Sequence, residues 1–244
     1  MRTTQTVAAT TRWTPAILSR LAGLSILGAA LGELLYTGFI SPPLGPPEPS
    51  SDQILSWVAS NQQVLLFQFI IGYVAILFAV FIFLLVQLCG ARGVLANLAY
   101  MGVVAWFAMS LTAFGLYLGL WTFIQRGGSG QDVVALYTMG ESAEAFAHAG
   151  EMALGLSAAS VSAIALKSHS LPRWLIVLGL LTGFEQLFTN IAFASFPAFS
   201  TTSVVFTPGT FARVLDISLV LVWFIVIGIY LLVKPIRGIP KTQP

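Results

Sequence analysis

Ionisable side chains are scarce in this 244-residue chain, yet several stand inside its long apolar runs. One charge at the centre of a bilayer costs about 3 kcal/mol on insertion scales, so several together need partners, water or neutralisation. We therefore expect these side chains to face one another in a ligand or proton pocket rather than to face lipid. The predicted pocket residues are Glu33, Glu144, His148, Glu151, Glu185, Asn190, Arg213 and Asp216, with Gln186 extending the polar lining.

Three of these residues have the spacing of one helical face. Glu144, His148 and Glu151 stand at i, i+4 and i+7, which aligns them along one side of a helix. A neutral imidazole with carboxylate oxygens suits zinc, iron or manganese, so one hypothesis is a metal-dependent intramembrane hydrolase centred on His148. The apolar runs contain a single histidine and no HExxH motif, so we expect no metal and no other cofactor, and we assign no catalytic residue.

The leading hypothesis is a membrane protein that binds or translocates a small solute, together with protons. Its buried carboxyls would be Glu33, Glu151 and Glu185. At 1.5 Å per residue, Glu33 lies about 9 Å from the outer end of its run, Glu151 about 14 Å, and Glu185 near the midplane. The predicted pocket therefore occupies the outer half of the bundle and opens outward.

Two interpretations without a ligand compete with this hypothesis. In the structural one, Glu144 and Asp216 extend to the outer interface, Arg213 pairs with Asp216 at i+3, and His148 bonds a neighbouring helix. In the other, the chain is a non-catalytic assembly subunit whose small-residue faces pack on another membrane protein. Three glycine pairs have the GxxxG spacing that permits close packing, and we assign them to contacts within the bundle: Gly28/Gly32, Gly115/Gly119 and Gly179/Gly183.

The composition is that of an integral membrane protein. Hydrophobic residues make up 57% of the chain and charged residues 8%, and the mean hydropathy is +0.89, which excludes an ordinary soluble domain. Cys89 is the only cysteine, which excludes a disulfide scaffold. Lys and Arg are thinly spread, which argues against a nucleic-acid partner. The expected partners are the lipid bilayer and a small-molecule ligand, and the oligomeric state is left open.

Six apolar runs are long enough to cross a hydrocarbon core, which predicts an all-α polytopic membrane protein with six transmembrane helices in one bundle. The transmembrane domain covers 15–233, between tails at 1–14 and 234–244. The third run is too long for a perpendicular span, so it should tilt or project from the bilayer. The predicted spans are 15–40, 63–88, 94–124, 142–166, 172–197 and 210–233.

Basic residues at the ends of these runs predict the orientation. Only Arg126 and Arg213 fall on one side of the predicted membrane, and the other nine fall on the opposite side. Because basic residues near span ends are retained in the cytoplasm, both termini should be cytoplasmic. The nine are Arg2, Arg12, Arg20, Arg92, Lys167, Arg173, Lys234, Arg237 and Lys241.

Proline and glycine mark the connections. Five prolines in 41–50 predict an extended external loop, after which Ser51 or Asp52 offers an N-cap for a short interfacial helix. The sequence RGGSG at 126–130 predicts a flexible turn. The apolar but irregular segment 195–209 either lies on the membrane surface or re-enters the bundle, and the sequence leaves both open.

Three segments carry a recognisable order of motifs. They read LSRLAGLSILGAALGE at 18–33, SHSLPRWLIVLGLLTG at 168–183 and LVWFIVIGIYLLVKPIRG at 221–238. In this order the chain resembles a family of bacterial six-helix membrane proteins that is described only as a domain of unknown function. Trp223 departs from the family pattern, because it stands further from the Leu-Leu-Val-Lys run than is usual. The resemblance implies a six-helix fold and a multi-pass location in a bacterial plasma membrane, and it supplies no activity.

Overall fold

The computed structural model describes residues 13–35, 50–61, 69–195 and 208–236. Within these ranges the chain forms seven helices and no strand, which confirms the predicted all-α class. Each of the six predicted spans overlaps one long helix, and the remaining helix is the short one expected after the proline-rich loop. The helices are α1 (Pro15–Leu35), α2 (Ser51–Ser60), α3 (Phe69–Leu88), α4 (Val94–Gln125), α5 (Gln131–Ser168), α6 (Arg173–Ser195) and α7 (Pro208–Val233).

The turn at 126–130 and the start of α5 depend on local sequence. Gly127 and Gly130 have φ of 85° and 71°, a backbone conformation that glycine adopts without steric cost, so the predicted turn is confirmed. Directly after it, α5 begins at Gln131, whereas the apolar run predicts a span only from residue 142. Hydropathy missed this first part of α5 because Gln131 and Asp132 open it with polar side chains.

Six long helices pack in a closed ring in the order α1, α3, α4, α5, α6 and α7, with α7 returning to α1. Short connections join α3 to α4, α4 to α5 and α5 to α6, so these neighbours run antiparallel. Helix α3 also contacts α5 across the ring. Residues that point inward from any of the six helices are therefore brought towards a common interior.

Glycines set the closest approaches between neighbouring helices. A Cβ at Gly28 would lie 2.7 Å from a leucine of α3, and a Cβ at Gly183 would lie 2.7 Å from the backbone nitrogen of Ala159 on α5. Packing within the bundle is thus confirmed for the first and third glycine pairs. It is wrong for Gly115/Gly119, because no described atom outside their own helix lies within 4 Å of a Cβ at either position.

Aromatic side chains fill the interior where α3, α4 and α7 meet. Phe78 of α3 stacks on Phe224 of α7 with ring centroids 5.2 Å apart, and it meets Trp106 of α4 edge-on at 5.4 Å. Phe81 meets Trp223 edge-on at 6.0 Å. All five rings are buried, and we call them the aromatic cluster. Offset and edge-to-face pairs of this kind add to the stabilisation that burial alone provides.

A second, smaller core lies outside the ring, where α2 packs on the ends of α4 and α5. Ile54 and Val58 of α2 are fully buried against Tyr117 of α4 and Tyr137 of α5. Helices α4 and α5 have 32 and 38 residues, about 48 and 57 Å at 1.5 Å per residue. Both exceed the thickness of a hydrocarbon core, about 30 Å, and α2 covers the part nearest their shared turn.

The start of α2 differs from its prediction. Ser50 is the N-cap, and it forms a capping box in which Ser50 Oγ accepts from Gln53 N at 3.3 Å and Gln53 Oε1 accepts from Ser50 N at 3.1 Å. The predicted N-caps Ser51 and Asp52 are therefore wrong by one and two residues. Ser51 Oγ instead accepts a hydrogen bond from Gly130 N at 3.0 Å, which ties α2 to the α4–α5 turn.

Within the described residues, two helices are long and apolar enough to cross a membrane, Pro15–Leu35 and Val94–Gln125. Two shorter stretches, Gly72–Leu88 and Ser218–Val233, are apolar as well. In the most apolar 18-residue stretch of each of these two long helices, only 39% and 29% of the residues, respectively, are buried inside the protein. Most residues of these two stretches are therefore not buried, whereas the core helix of a soluble protein is mostly buried.

Three predicted features lie outside the described residues. They are the parts of the tails at 1–12 and from 237 onward, the proline-rich loop apart from Ser50, and the segment 195–209 apart from its ends in α6 and α7. The alternative courses of 195–209, on the membrane surface or back into the bundle, therefore both stay predictions.

Candidate functional site

Three of the predicted acids have described side chains, and all three are half-buried. Glu33 lies in the last turn of α1, Glu151 in the middle of α5 and Glu185 in the middle of α6. Glu33 and Glu151 interact electrostatically. Because α1 and α5 are not neighbours in the ring, these two side chains approach each other across its interior.

Close packing of α5 on α6 brings a second polar pair to this region. A Cβ at Gly155 would lie 2.7 Å from both Gln186 Cβ and the Gly183 carbonyl oxygen, so the two helices touch here. Gln186 is buried, and its Nε2 donates a hydrogen bond to Glu185 Oε2 at 3.4 Å. Glu151 precedes Gly155 by four residues and shares its helix face. The Glu185–Gln186 pair therefore lies within about one helical turn of the level of Glu151.

The register of α6 against α7 gives the level of Asp216. A Cβ at Gly179 would contact Trp223, and Thr182 Oγ1 donates to the Leu219 carbonyl oxygen at 3.5 Å. Each step of about one turn along α6 thus matches one turn back along α7. Continuing this register, position 216 lies level with Glu185, in the same part of the ring as the other acids.

Five predicted site residues have a described backbone but no described side chain: Glu144, His148, Asn190, Arg213 and Asp216. The continuous helix α5 is consistent with the shared face predicted for Glu144, His148 and Glu151. Among the side chains that the structure describes, no three His, Cys, Asp or Glu residues are grouped so that they could hold a metal ion. The metal hypothesis on His148 therefore stays a prediction.

The aromatic cluster is a part of the site that the sequence did not predict. Phe78 and Trp223 pack between helices next to the acidic region, with Trp106 of α4 contacting both Phe78 and the position of Gly150, the residue before Glu151. Trp106 therefore links the aromatic cluster to α5 one residue before Glu151. With 18 phenylalanines spread over the chain, residue spacing alone could not identify the few that meet in the interior.

Three serines of α5 are buried in the contacts between helices. Ser157 Oγ donates to the Ala99 carbonyl oxygen of α4 at 2.8 Å, and Ser160 and Ser162 are buried. A Cβ at Gly102 would lie 3.0 Å from Ser157 Cβ, so α4 and α5 approach closely at this level.

The arrangement can therefore hold a proton or a small cationic group between carboxylates. Comparisons with protein-family models, with curated proteins and with solved structures found no match for the chain. Any function assigned to these side chains consequently rests on their own geometry and chemistry.

Proposed function

We propose that this chain is a multi-pass protein of a bacterial plasma membrane that crosses the bilayer six times, and that it binds or translocates a small solute from the outer side. The membrane part is supported by the apolar outer surface of the ring. On α6, Val177, Leu181, Phe184 and Phe188 follow one face at i, i+4, i+7 and i+11, and each is more than half exposed. A soluble bundle carries polar residues on such a face, whereas lipid favours apolar ones.

The contacts of α1 with α7 support a retained span. Ser19 Oγ donates to the Leu231 carbonyl oxygen at 3.4 Å and accepts a hydrogen bond from Ile236 N at 3.0 Å. Gly23 and Gly228 bring α1 and α7 into close contact one turn further along. Loss of α1 would expose these buried polar groups and open the ring, so its contacts support six spans rather than five.

Contacts between turns support cytoplasmic termini. Cys89 Sγ lies 3.1 Å from Ser170 Oγ, which joins the α3–α4 turn to the α5–α6 turn at one end of the ring. Arg92 and Lys167 flank these turns, and the start of α1 is at the same end because α1 and α3 are antiparallel. Arg126 lies at the opposite end, beside α2. The basic end is the one that the positive-inside rule assigns to the cytoplasm.

The observation that carries the solute function is the electrostatic interaction between two half-buried carboxyls, Glu33 and Glu151, on helices that are not neighbours in the ring. Two negative charges held together in a medium of low dielectric constant repel strongly, and a shared proton or a bound cation removes that repulsion. Glu185 and Gln186 provide further polar groups nearby. A site of this composition suits a proton together with a small cationic solute.

Reporter fusions test the topology. A cytoplasmic reporter should be active when it is fused after Pro244 and inactive when it is inserted at Gly128, in the α4–α5 turn, and a periplasmic reporter should give the reverse pattern. The chain should also stay with the membrane fraction after extraction at alkaline pH. Equal reporter activity at the two sites, or release by alkali, would contradict the six-span arrangement.

Proteoliposomes test the solute site. Vesicles that contain the purified protein and the pH indicator pyranine are given a proton gradient, and methylammonium serves as the probe cation. We expect Glu151→Gln and Glu185→Gln to abolish the coupled pH change, because each removes a carboxylate from the interior. Asp132→Asn is the matched control, since Asp132 is an exposed acid in the first turn of α5. If both interior variants fold and keep wild-type rates, the proposed site is incorrect.

A further inference from the structure

A groove opens at the basic end of the ring, between the α3–α4 turn and the end of α5. Its volume is about 470 Å³, which falls within the range of roughly 300–1,000 Å³ typical of small-molecule sites. We call it the basic groove. The lining residues that define it are Cys89, Arg92, Val94, Leu95, Ile164 and Lys167.

The charges in the basic groove are all of one sign. Arg92 and Lys167 reach it from different elements, and no acidic side chain belongs to its described lining. Burial raises the pKa of the Cys89 thiol above its ordinary value of 9.0, which outweighs its hydrogen bonds with Ser170 and Ser168, so the thiol is neutral. An anion in the groove would therefore meet two cations and no opposing charge.

The amino terminus of α4 adds backbone donors to this charge. Gly93 is the N-cap, with φ of 84°, and it forms no side-chain cap hydrogen bond. The first N–H groups of a helix lack partners inside it, and the positive end of its dipole favours an anion. Because Val94 and Leu95 line the groove, these backbone groups lie at its edge.

Apart from the two cations, Ser168 and the Cys89 thiol, the lining is apolar. Ile164 is buried, whereas Val94 is 75% exposed beside the two cations. Ser168 Oγ donates to Ser170 Oγ at 2.9 Å, and Ser170 in turn contacts Cys89, so the two turns that frame the groove are held together. Cationic groups next to an exposed aliphatic side chain suit a ligand that has both an anionic group and an apolar part.

We propose that the basic groove binds the phosphate of an anionic phospholipid of the cytoplasmic leaflet. Arg92, Lys167 and the first amides of α4 hold the phosphate, and the glycerol and the first acyl methylenes lie against Val94 and Leu95. This inference rests on the membrane orientation under the proposed function, but it is independent of the acidic site at the other end. Free phosphate shares the charge of the lipid headgroup and none of its apolar part.

Thermal unfolding in a zwitterionic detergent tests the proposal on the full chain. Dioctanoyl phosphatidylglycerol, dioctanoyl phosphatidylcholine and inorganic phosphate are titrated separately. We expect phosphatidylglycerol alone to raise the melting temperature in a saturable way. Arg92→Gln with Lys167→Gln should weaken this binding roughly thirtyfold, since each basic residue near an anionic surface contributes about a factor of five. The matched control removes two charges elsewhere, by Arg126→Gln with Lys234→Gln, and should bind like the wild type.

Each alternative outcome is informative. Equal weakening in the groove variant and the control would mean that binding reflects total charge, and it would overturn the proposal. Inorganic phosphate binding as tightly as phosphatidylglycerol would identify a free-anion site and would overturn it as well. If the double variant fails to fold, Leu95→Gln replaces it and is expected to weaken the binding of phosphatidylglycerol, because it removes part of the apolar lining. Unchanged lipid binding in that variant would contradict the proposal, while the proteoliposome assay of the acidic site is unaffected by either result.

Discussion

The contact between α5 and α6 predicts that Gly183 cannot carry a side chain. A Cβ at this position would lie 2.7 Å from the backbone nitrogen of Ala159, 2.8 Å from its Cβ and 2.8 Å from the Gly155 carbonyl oxygen. Two of these three atoms belong to the backbone of α5, so no rotamer change can relieve the clash. Gly183→Ala must therefore push the two helices apart.

The size of the effect follows from the distances. Ordinary contact of a Cβ begins near 3.4 Å, so the helices must separate by about 0.7 Å at this level. Overpacking of this kind costs about 1–3 kcal/mol. The same substitution gains up to about 1 kcal/mol in helix propensity, which partly offsets the loss. Gly115→Ala is the matched control, because it has the same propensity gain and no described atom within 4 Å.

The two variants are compared by unfolding in detergent micelles, followed by tryptophan fluorescence. We expect Gly183→Ala to be less stable than Gly115→Ala by about 1–3 kcal/mol, with Gly115→Ala equal to or above the wild type. Because Gln186 packs on Gly155 at the same contact, Gly183→Ala should also reduce solute coupling in proteoliposomes. Equal stability of the two variants would refute the close contact and, with it, the level assigned to Glu185 beside Glu151.

Three further outcomes are expected. Ser19→Ala should lower the free energy of unfolding by about 1–3 kcal/mol, because it leaves the buried Ile236 N–H without its acceptor. Equilibrium unfolding measures this loss. The control is Thr112→Ala, since the exposed Thr112 hydroxyl donates to the Ala108 carbonyl oxygen of its own helix. Cys89 should react slowly with maleimide at neutral pH, and rapid labelling of the folded protein would contradict this. The free energy of unfolding should fall as pH rises above about 9, because the thiol keeps its proton to a higher pH in the folded state than in the unfolded state. Ser50→Ala should cost about 1 kcal/mol through the lost capping box and increase hydrogen exchange in α2 alone.

The approximate positions of the long helices could be predicted from sequence because each helix contains one long apolar run. The same uniform hydropathy left the rotation of each helix about its axis undetermined. Leu24 of α1 is exposed and Ile26 is buried, yet both are equally suitable in lipid and in the interior. Glycines gave more information about which faces of the helices are in contact. Gly28 and Gly183 lie where two helices touch. Gly115 has the same spacing pattern and no contact, so small size permits an interface without specifying one.

The candidate site could be predicted only in part for the same reason. The i, i+4, i+7 spacing gives one face of α5, but it contains no information on which neighbour that face meets. The approach of Glu33 to Glu151 depends on how α1 turns towards the interior, and this is set by its packing on α3 and α7. The cost of an isolated charge in lipid predicts that the acids face one another. It does not predict which acid lies next to which.

The aromatic cluster limits what the acidic region can do in this conformation. Phe78, Trp223 and Phe224 are buried and in mutual contact, so packed rings close the interior where α3 and α7 meet. Under the proposed function, binding from the outer side would need no rearrangement of these rings, whereas passage through the bundle would need α7 or α3 to move. The end of α7 is held to α1 through Ser19, so a moving α7 would have to rotate about that end. Such a rotation would displace Trp223 and residue 216 together, because both lie on α7. Opening of the inner side would then be coupled to a movement of the α7 backbone at the level of Glu185.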